Sequence, residues 1–220
     1  MLAITKSIAL QGLEGYLISI EVDVSLGMPY FEIVGLPDIT VKESKERVKT
    51  AIRNSNIELL SRRIIVNLAP ANIRKEGSVL DLPIAISVLM ATGSIKANLN
   101  KKIHNILENT VFIGELSLNG KVEKVKGVLP MCLEAKKLGI TRIILPAENA
   151  EEAAVVDGID ILIAHNLKEV IEYLDGKIEL QSPSKKSHQF DSNAYDIGFE
   201  DVKGQEDVKR ALEIAAAGRP

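Results

Sequence analysis

The stretch Val79–Ala91 (VLDLPIAISVLMA) is the longest apolar run in the chain, interrupted by Asp81 and Pro83. It is too short to cross a bilayer, which takes roughly 20 apolar residues, and it reads as a buried helix over Leu82–Ala91. Asp81 is placed to cap the helix N-terminus, and Pro83 falls in the first turn, where a missing N–H is tolerated. Gly93 ends it. A helix with so little polar surface has to be enclosed by other elements, so the rest of the chain must supply them. At 220 residues the chain suffices for one large domain, or for a domain and a fragment of another. Its 46% hydrophobic and 26% charged residues are the balance of a globular protein, not a disordered one.

The enclosing elements follow from local pattern. Ala3–Ile8 and Tyr16–Val24 alternate apolar and polar side chains, as half-buried strands do, with Gly12 and Gly15 between them. Tyr30–Val34 is a third strand, following the Gly27-Met28-Pro29 turn and ended by Gly35-Leu36-Pro37. Asp38 or Thr40 caps a helix to about Asn54, and Glu43 with Arg47 gives it an i,i+4 pair on a solvated face. Arg63–Leu68 is a β-branched strand, and Ala69–Gly77 a loop. Asn98–Asn109 is a polar connector. Val111–Glu115 and Lys121–Val125 flank Asn119-Gly120 as a hairpin. Leu129–Leu138 is an amphipathic helix stopped by Gly139. Arg142–Leu145 and Ile159–Ala164 are strands, Glu148–Val155 a short helix, and Asn166 caps a last helix to about Leu174.

From Gln181 to Asp196 the periodicity collapses (QSPSKKSHQFDSNAYD), which reads as a linker. Beyond it, Glu206–Ala217 is a helix with Val208, Leu212 and Ala215 or Ala216 on one stripe. A lone helix after a linker cannot bury that stripe, so the chain reads as ending at the start of a second domain.

No complete catalytic constellation is visible. A net charge of −3 gives no overall basic field. Gly114–Lys121 (GELSLNGK) approaches a phosphate-binding loop, but the spacing is one residue too long, and Val122 stands where a serine or threonine would bind magnesium. His104, His165 and His188 lack ligand spacing, so no metal site is expected. The basic doublets Arg62-Arg63, Arg74-Lys75, Lys101-Lys102, Lys136-Lys137 and Lys185-Lys186 read as solvated surface. The lone Cys132 falls mid-helix as a small buried apolar side chain. One cysteine and no visible signal peptide fit a reducing, cytoplasmic location.

Two stretches carry a resemblance. Asn67–Leu89 (NLAPANIRKEGSVLDLPIAISVL) and Phe112–Asn149 (FIGELSLNGKVEKVKGVLPMCLEAKKLGITRIILPAEN) resemble the proteolytic domain of Lon proteases in order and spacing. That resemblance implies an α/β (α+β) fold of the Lon proteolytic type, like domain 2 of certain ribosomal proteins. Lon-type enzymes use a serine deprotonated by a lysine. A gap-free reading puts Val79 at the serine position and Leu129 at the lysine position, with Ser78 adjacent and Lys126 near. The expectation is therefore no catalytic residue here.

The whole sequence also resembles the magnesium-chelatase-like ATPases of the YifB/ComM family, through GLEG, SLGMPYFEIVGLPD, NLAPANIRKEGSVLDLPIAI and FEDVKGQEDVKRALEIAAAGRP. This implies a Lon-like N-terminal domain over residues 1–176, a linker over 177–196, and the opening of an AAA+ module over 197–220. Val202, Gly204 and Gln205 would then lie on the adenine side of an ATP site whose phosphate loop follows Pro220. The resemblance further implies that the intact protein uses ATP and Mg2+, assembles as a homo-oligomeric ring, and acts on DNA as a helicase-like motor, with no membrane partner. Two other functions fit this fold: a Lon-like peptidase, against which Val79 and Leu129 stand, and a nucleic-acid-binding module.

Overall fold

The computed structural model describes residues 2–12, 14–59, 62–95, 107–184 and 201–218. The chain divides into two compact units, Met1–Lys186 and Ser187–Pro220.

The first unit is built on a seven-stranded sheet of order β3-β4-β2-β1-β5-β8-β9. Its strands are β1 (Leu2–Gln11), β2 (Glu14–Ser25), β3 (Tyr30–Val34), β4 (Arg63–Ala69), β5 (Thr110–Phe112), β8 (Arg142–Pro146) and β9 (Asp160–Ala164). β1 and β2 form a long antiparallel hairpin closing at Gln11↔Glu14, and β4 pairs antiparallel with β2. The β3–β4, β1–β5, β5–β8 and β8–β9 pairs are all parallel. The result is a mixed α/β fold with a mostly parallel sheet, as the Lon-type pattern implied.

The helices are α1 (Ile39–Asn54), α2 (Asp81–Ala91), α3 (Val128–Lys137), the single turn α4 (Ala150–Ala153) and α5 (Leu167–Leu174). Every residue of α2 is buried. It lies on β1 and β2; the Thr5 hydroxyl of β1 donates to the Pro83 carbonyl at 3.1 Å and meets the Ser87 hydroxyl of the helix at 2.7 Å. Those hydroxyls let the helix approach closely while its polar atoms stay paired. Ile18, Ile20, Val22, Ile64, Val66 and Leu68 supply the sheet side of the core, each worth roughly 1.5–3 kcal/mol on burial. Cys132 is buried in α3, and desolvation pushes its thiol up to about 12.

Local chemistry set several boundaries as expected. Asp38 caps α1, its Oδ1 accepting from the Val41 N–H at 2.7 Å, and Asn166 caps α5 through the Glu169 N–H at 2.9 Å. Gly139 ends α3 with φ 74°, the Ile140 N–H returning to Ala135. The segment expected as a helix over Glu148–Val155 is shorter, a 3-10 turn Ala147–Asn149 leading into α4. The expected hairpin is split. Val111 and Phe112 belong to β5, and only β6 (Glu115–Leu116) and β7 (Val122–Glu123) pair across Asn119-Gly120. The Gly120 N–H donates to Ser117 O, Ser117 N–H donates to Lys121 O, and Gly120 is left-handed at φ 86°. That is a three-residue loop built on a type I turn and a glycine bulge. Residues 98–106 of the Asn98–Asn109 connector and 185–196 of the Gln181–Asp196 segment lie outside the described residues, but Gln181 itself accepts from the Ile163 N–H at 2.9 Å. In the second unit, α6 (Glu206–Ala217) has no buried residue, and Val208, Leu212 and Ile214 are exposed.

The capping expectation for Asp81 is overturned. Asp81 does not cap α2; Leu80 precedes the helix and makes no side-chain cap bond. The fully buried Asp81 carboxylate instead accepts from Arg47 Nε at 2.6 Å and Nη2 at 3.0 Å, and from the Leu116 N–H at 3.2 Å. Arg47, read as half of a solvated pair with Glu43, keeps that contact only at 3.9 Å. The Asp81 hydrogen bond raises the Arg47 guanidinium, while burial pushes the Asp81 carboxyl above its ordinary value against the pull of Arg47 and Ser44. A buried carboxylate that loses its partner is costly, and so is the reverse. Asp81→Ala should therefore lower stability in urea by about 3 kcal/mol, whereas a lost cap would cost about 1 kcal/mol; a loss near the smaller figure would return Asp81 to a capping role.

Candidate functional site

The loop from Pro70 to Leu80 carries the serine that sequence singled out, and the loop preceding α1 fixes its course. Lys75 N–H donates to Leu36 O at 3.1 Å, Asp38 N–H donates to Lys75 O at 3.0 Å, and Gly77 N–H reaches Asp38 Oδ2 at 3.4 Å. Gly77 is left-handed at φ 82°, a conformation that favours glycine. Gly35, at φ 98°, leaves no room for a Cβ against the Leu68 carbonyl, so the two loops and β4 close-pack there. Past Ser78, the Val79 carbonyl accepts from Gly114 N–H at 3.1 Å and Leu82 N–H donates to Gly114 O at 3.0 Å. These bonds bring Glu115 beside Ser78.

The opposite wall is the extended strip between β7 and α3. Asn149, buried at the start of α4, accepts from Val125 N–H at 3.0 Å and donates to Val125 O at 2.9 Å. It thereby holds Lys124 and Lys126 toward a cleft of about 370 Å³. Ser78, Val79, Glu115, Lys124, Lys126 and Met131 are among the residues lining that cleft.

The cleft gathers the residues that mark the Lon-type pattern but does not join them chemically. The Ser78 hydroxyl donates to the Glu115 carboxylate. Lys126 is exposed on the same cleft, and among the described residues no hydrogen bond links it to Ser78. Val79 is buried in the core, and Leu129 packs against that core with its N–H donated to Glu152 Oε1 at 2.9 Å. A serine hydroxyl committed to a carboxylate lacks the neutral amine that would deprotonate it.

Gly114–Lys121 forms the β6–β7 hairpin and not a phosphate cradle. Lys121 is tied to Glu123 at 2.9 Å and Glu148 at 2.7 Å, which raise its ammonium, and Val122 is buried. Among the described residues no group of three or more histidines, cysteines or carboxylates could hold a metal ion, and no helix is long and apolar enough to cross a membrane. His165 pairs with Glu169 at 3.2 Å; His104 and His188 lie outside the described residues.

Val202, Gly204 and Gln205 belong to the second unit, where all three are exposed. Gly204 and Gln205 are left-handed at φ 69° and 61°, and the Gln205 carbonyl accepts from Lys209 N–H at 2.9 Å as α6 begins. The Gln205 side chain makes no cap bond.

Sequence reasoning missed Lys75. The Arg74-Lys75 doublet reads as surface, yet Lys75 is fully buried, its Nζ donating to the Pro70 carbonyl. Asn149 was also missed as a structural residue. Neither has a local signature, because each is defined by a partner brought in by the fold.

The sequence model of the family described as "Subunit ChlI of Mg-chelatase" matches residues 20–149. The chain is 39% identical over 221 residues to competence protein ComM of Haemophilus influenzae, covering 99% of this chain and 42% of that protein. It is 40% identical over 217 residues to YifB of Escherichia coli, covering 99% of this chain and 41% of that protein. Lon protease 2 of Bacillus subtilis is 33% identical over 134 residues, 60% of this chain and 22% of that protein. The chain thus belongs to the Mg-chelatase ChlI-like family, as a YifB/ComM member. It spans about two fifths of the length of the ComM and YifB proteins it matches.

Burial pushes the Lys75 ammonium below its ordinary value of 10.5. The folded state therefore favours the neutral amine. Its contribution to stability is complete above the unfolded value and is lost as pH falls toward the folded one. Lys75→Met should raise the thermal midpoint at pH 7, and the gain should shrink as pH approaches 11. A gain that stays constant across that range would show that charge burial is not its cause.

Proposed function

We propose that residues 1–176 serve as the non-catalytic N-terminal domain of a ComM-type AAA+ ATPase, joined through a linker at 177–196 to an ATPase module that opens at 197–220. The intact protein then works in the cytoplasm as an ATP- and Mg2+-dependent, ring-forming motor on DNA. The observation that carries the non-catalytic role is the cleft itself: Val79 and Leu129 stand at the dyad positions, and the Ser78 hydroxyl is donated to Glu115. A fold that keeps its shape around an inert dyad is suited to binding and assembly. The motor role is supported by identity along 99% of the chain to a protein named for competence. In this reading Val202, Gly204 and Gln205 face adenine, and the phosphates and Mg2+ are held by residues past Pro220.

Two measurements test it. The 220-residue chain should neither cleave casein nor turn over ATP, and Ser78→Ala should change neither result; peptide hydrolysis abolished by Ser78→Ala would establish a peptidase instead. The longer protein continuing past Pro220 should bind and hydrolyse ATP. Gln205→Ala in that protein should weaken nucleotide binding by one hydrogen bond, roughly 0.5–1.5 kcal/mol or about twofold to tenfold. Unchanged affinity would remove Gln205 from the site, and a longer protein that binds no ATP would end the motor assignment.

A further inference from the structure

β3 closes one end of the sheet. β4 pairs with it on one side, and among the described residues no strand pairs with it on the other. In the parallel ladder the Tyr30 N–H donates to Arg62 O at 3.3 Å. Backbone direction alternates along a strand, so Tyr30, Glu32 and Val34 turn their N–H and C=O groups toward β4. Phe31 and Ile33 turn theirs toward the open edge. Protein edges are commonly blunted by lysine, proline or a bulge within the strand. β3, reading Tyr-Phe-Glu-Ile-Val, has none of these. Tyr30 and Val34 are 49% and 41% exposed, and the apolar surface extends to Met28 at 87% and Leu36 at 55%.

Beside this edge runs a groove of about 370 Å³ between β3 and α1. Phe31, Ile57 and Ile64 give it an apolar floor, and Lys49, Arg53 and Arg62 a cationic rim, with Glu58 the one acid among its described lining. Lys49 Nζ sits 5.2 Å from the Phe31 ring centroid, which sets the rim directly over the strand.

These features select one occupant. An unpaired strand edge offers a main-chain ladder that a polypeptide can complete and a nucleic acid cannot. Tyr30 is exposed but Phe31 is buried, so the groove supplies no series of rings on which bases could stack. A second copy pairing antiparallel about the middle of β3 would set Glu32 opposite its own equivalent, and like charges directly opposite destabilise a ladder. We propose that the β3 edge and its cationic rim form a docking site for an extended acidic segment of a partner protein, which adds as an eighth strand. Its carboxylates, on the α1 side, meet Lys49, Arg53 and Arg62, and its apolar side chains, on the opposite face, cover Tyr30 and Val34. This site does not depend on the ATPase reading.

The test uses the 220-residue chain and a fluorescent nine-residue peptide alternating glutamate with valine or threonine, followed by anisotropy. Saturable binding is expected, and the same peptide with lysine for glutamate should not bind. Lys49→Glu combined with Arg53→Glu should weaken binding at least tenfold; both side chains are on the surface of α1, and an unchanged thermal midpoint confirms the fold. Peptides N-methylated at one alternating set of amides should lose binding at least tenfold, while methylation of the other set should leave it intact, because only one set faces β3. No binding, equal binding of the lysine peptide, or indifference to both methylated sets would overturn the proposal. So would dimerisation of the chain in sedimentation that Val34→Lys disrupts, which would give the edge to a second copy. Binding of a single-stranded oligonucleotide in place of the peptide would overturn it equally.

Discussion

The complete burial of α2 is the constraint on which the rest of the first unit depends. A helix with no solvent face cannot be stabilised by its own surface chemistry. Its environment must be apolar where it is apolar and paired where it is polar. β1 and β2 meet the first demand with Ile18, Ile20 and Val22, and the second with the Thr5 hydroxyl and the Ile20 carbonyl, which pair with the Pro83 carbonyl and the Ser87 hydroxyl. The helix begins with a carboxylate that has no access to water, so Arg47 must come from α1 to meet it. That one requirement fixes the position of α1 against α2 and, through the Leu116 N–H, the position of the β6–β7 hairpin.

The cleft follows from the same packing. Once α2 is seated, its N-terminal loop is held between Gly114 and the loop preceding α1, and the Ser78 hydroxyl donates to Glu115. The far wall is set independently by Asn149, which grips both backbone groups of Val125. The shape of the cleft is maintained by these backbone and buried contacts. They do not require a serine at position 79 or a lysine at position 129.

What was legible in the sequence was whatever local chemistry decides. Tyr30–Val34 and Glu206–Ala217 occupy the strand and helix that their patterns specify, and Asp38 and Asn166 cap because their side chains need only reach three residues on. The capping reading of Asp81 used the same logic and failed, because an arginine 34 residues away outcompeted the helix's own N–H groups. Lys75 looked solvated because a doublet of cations normally is; its burial depends on a loop folding back over it. The Val111–Glu115 strand divided at Gly114, whose φ of 158° and approach to Val122 redirect the chain from the large sheet into the small one. In the candidate site, motif spacing put Val79 and Leu129 at the dyad positions, with Ser78 adjacent and Lys126 near; that Ser78 and Lys126 line one cleft, and that Glu115 takes the Ser78 hydroxyl, are tertiary matters that no spacing encodes.

Cys132 has a practical corollary. Its sulfur is enclosed in α3 and its thiol is held in the protonated form far above neutral pH. A protonated, enclosed thiol is a poor nucleophile, so an alkylating reagent reports only those molecules in which α3 has come away from the sheet. The chain therefore carries its own clock for opening: the rate at which this single sulfur is capped counts excursions of the core, and cysteines introduced elsewhere on the surface can be labelled against a silent background.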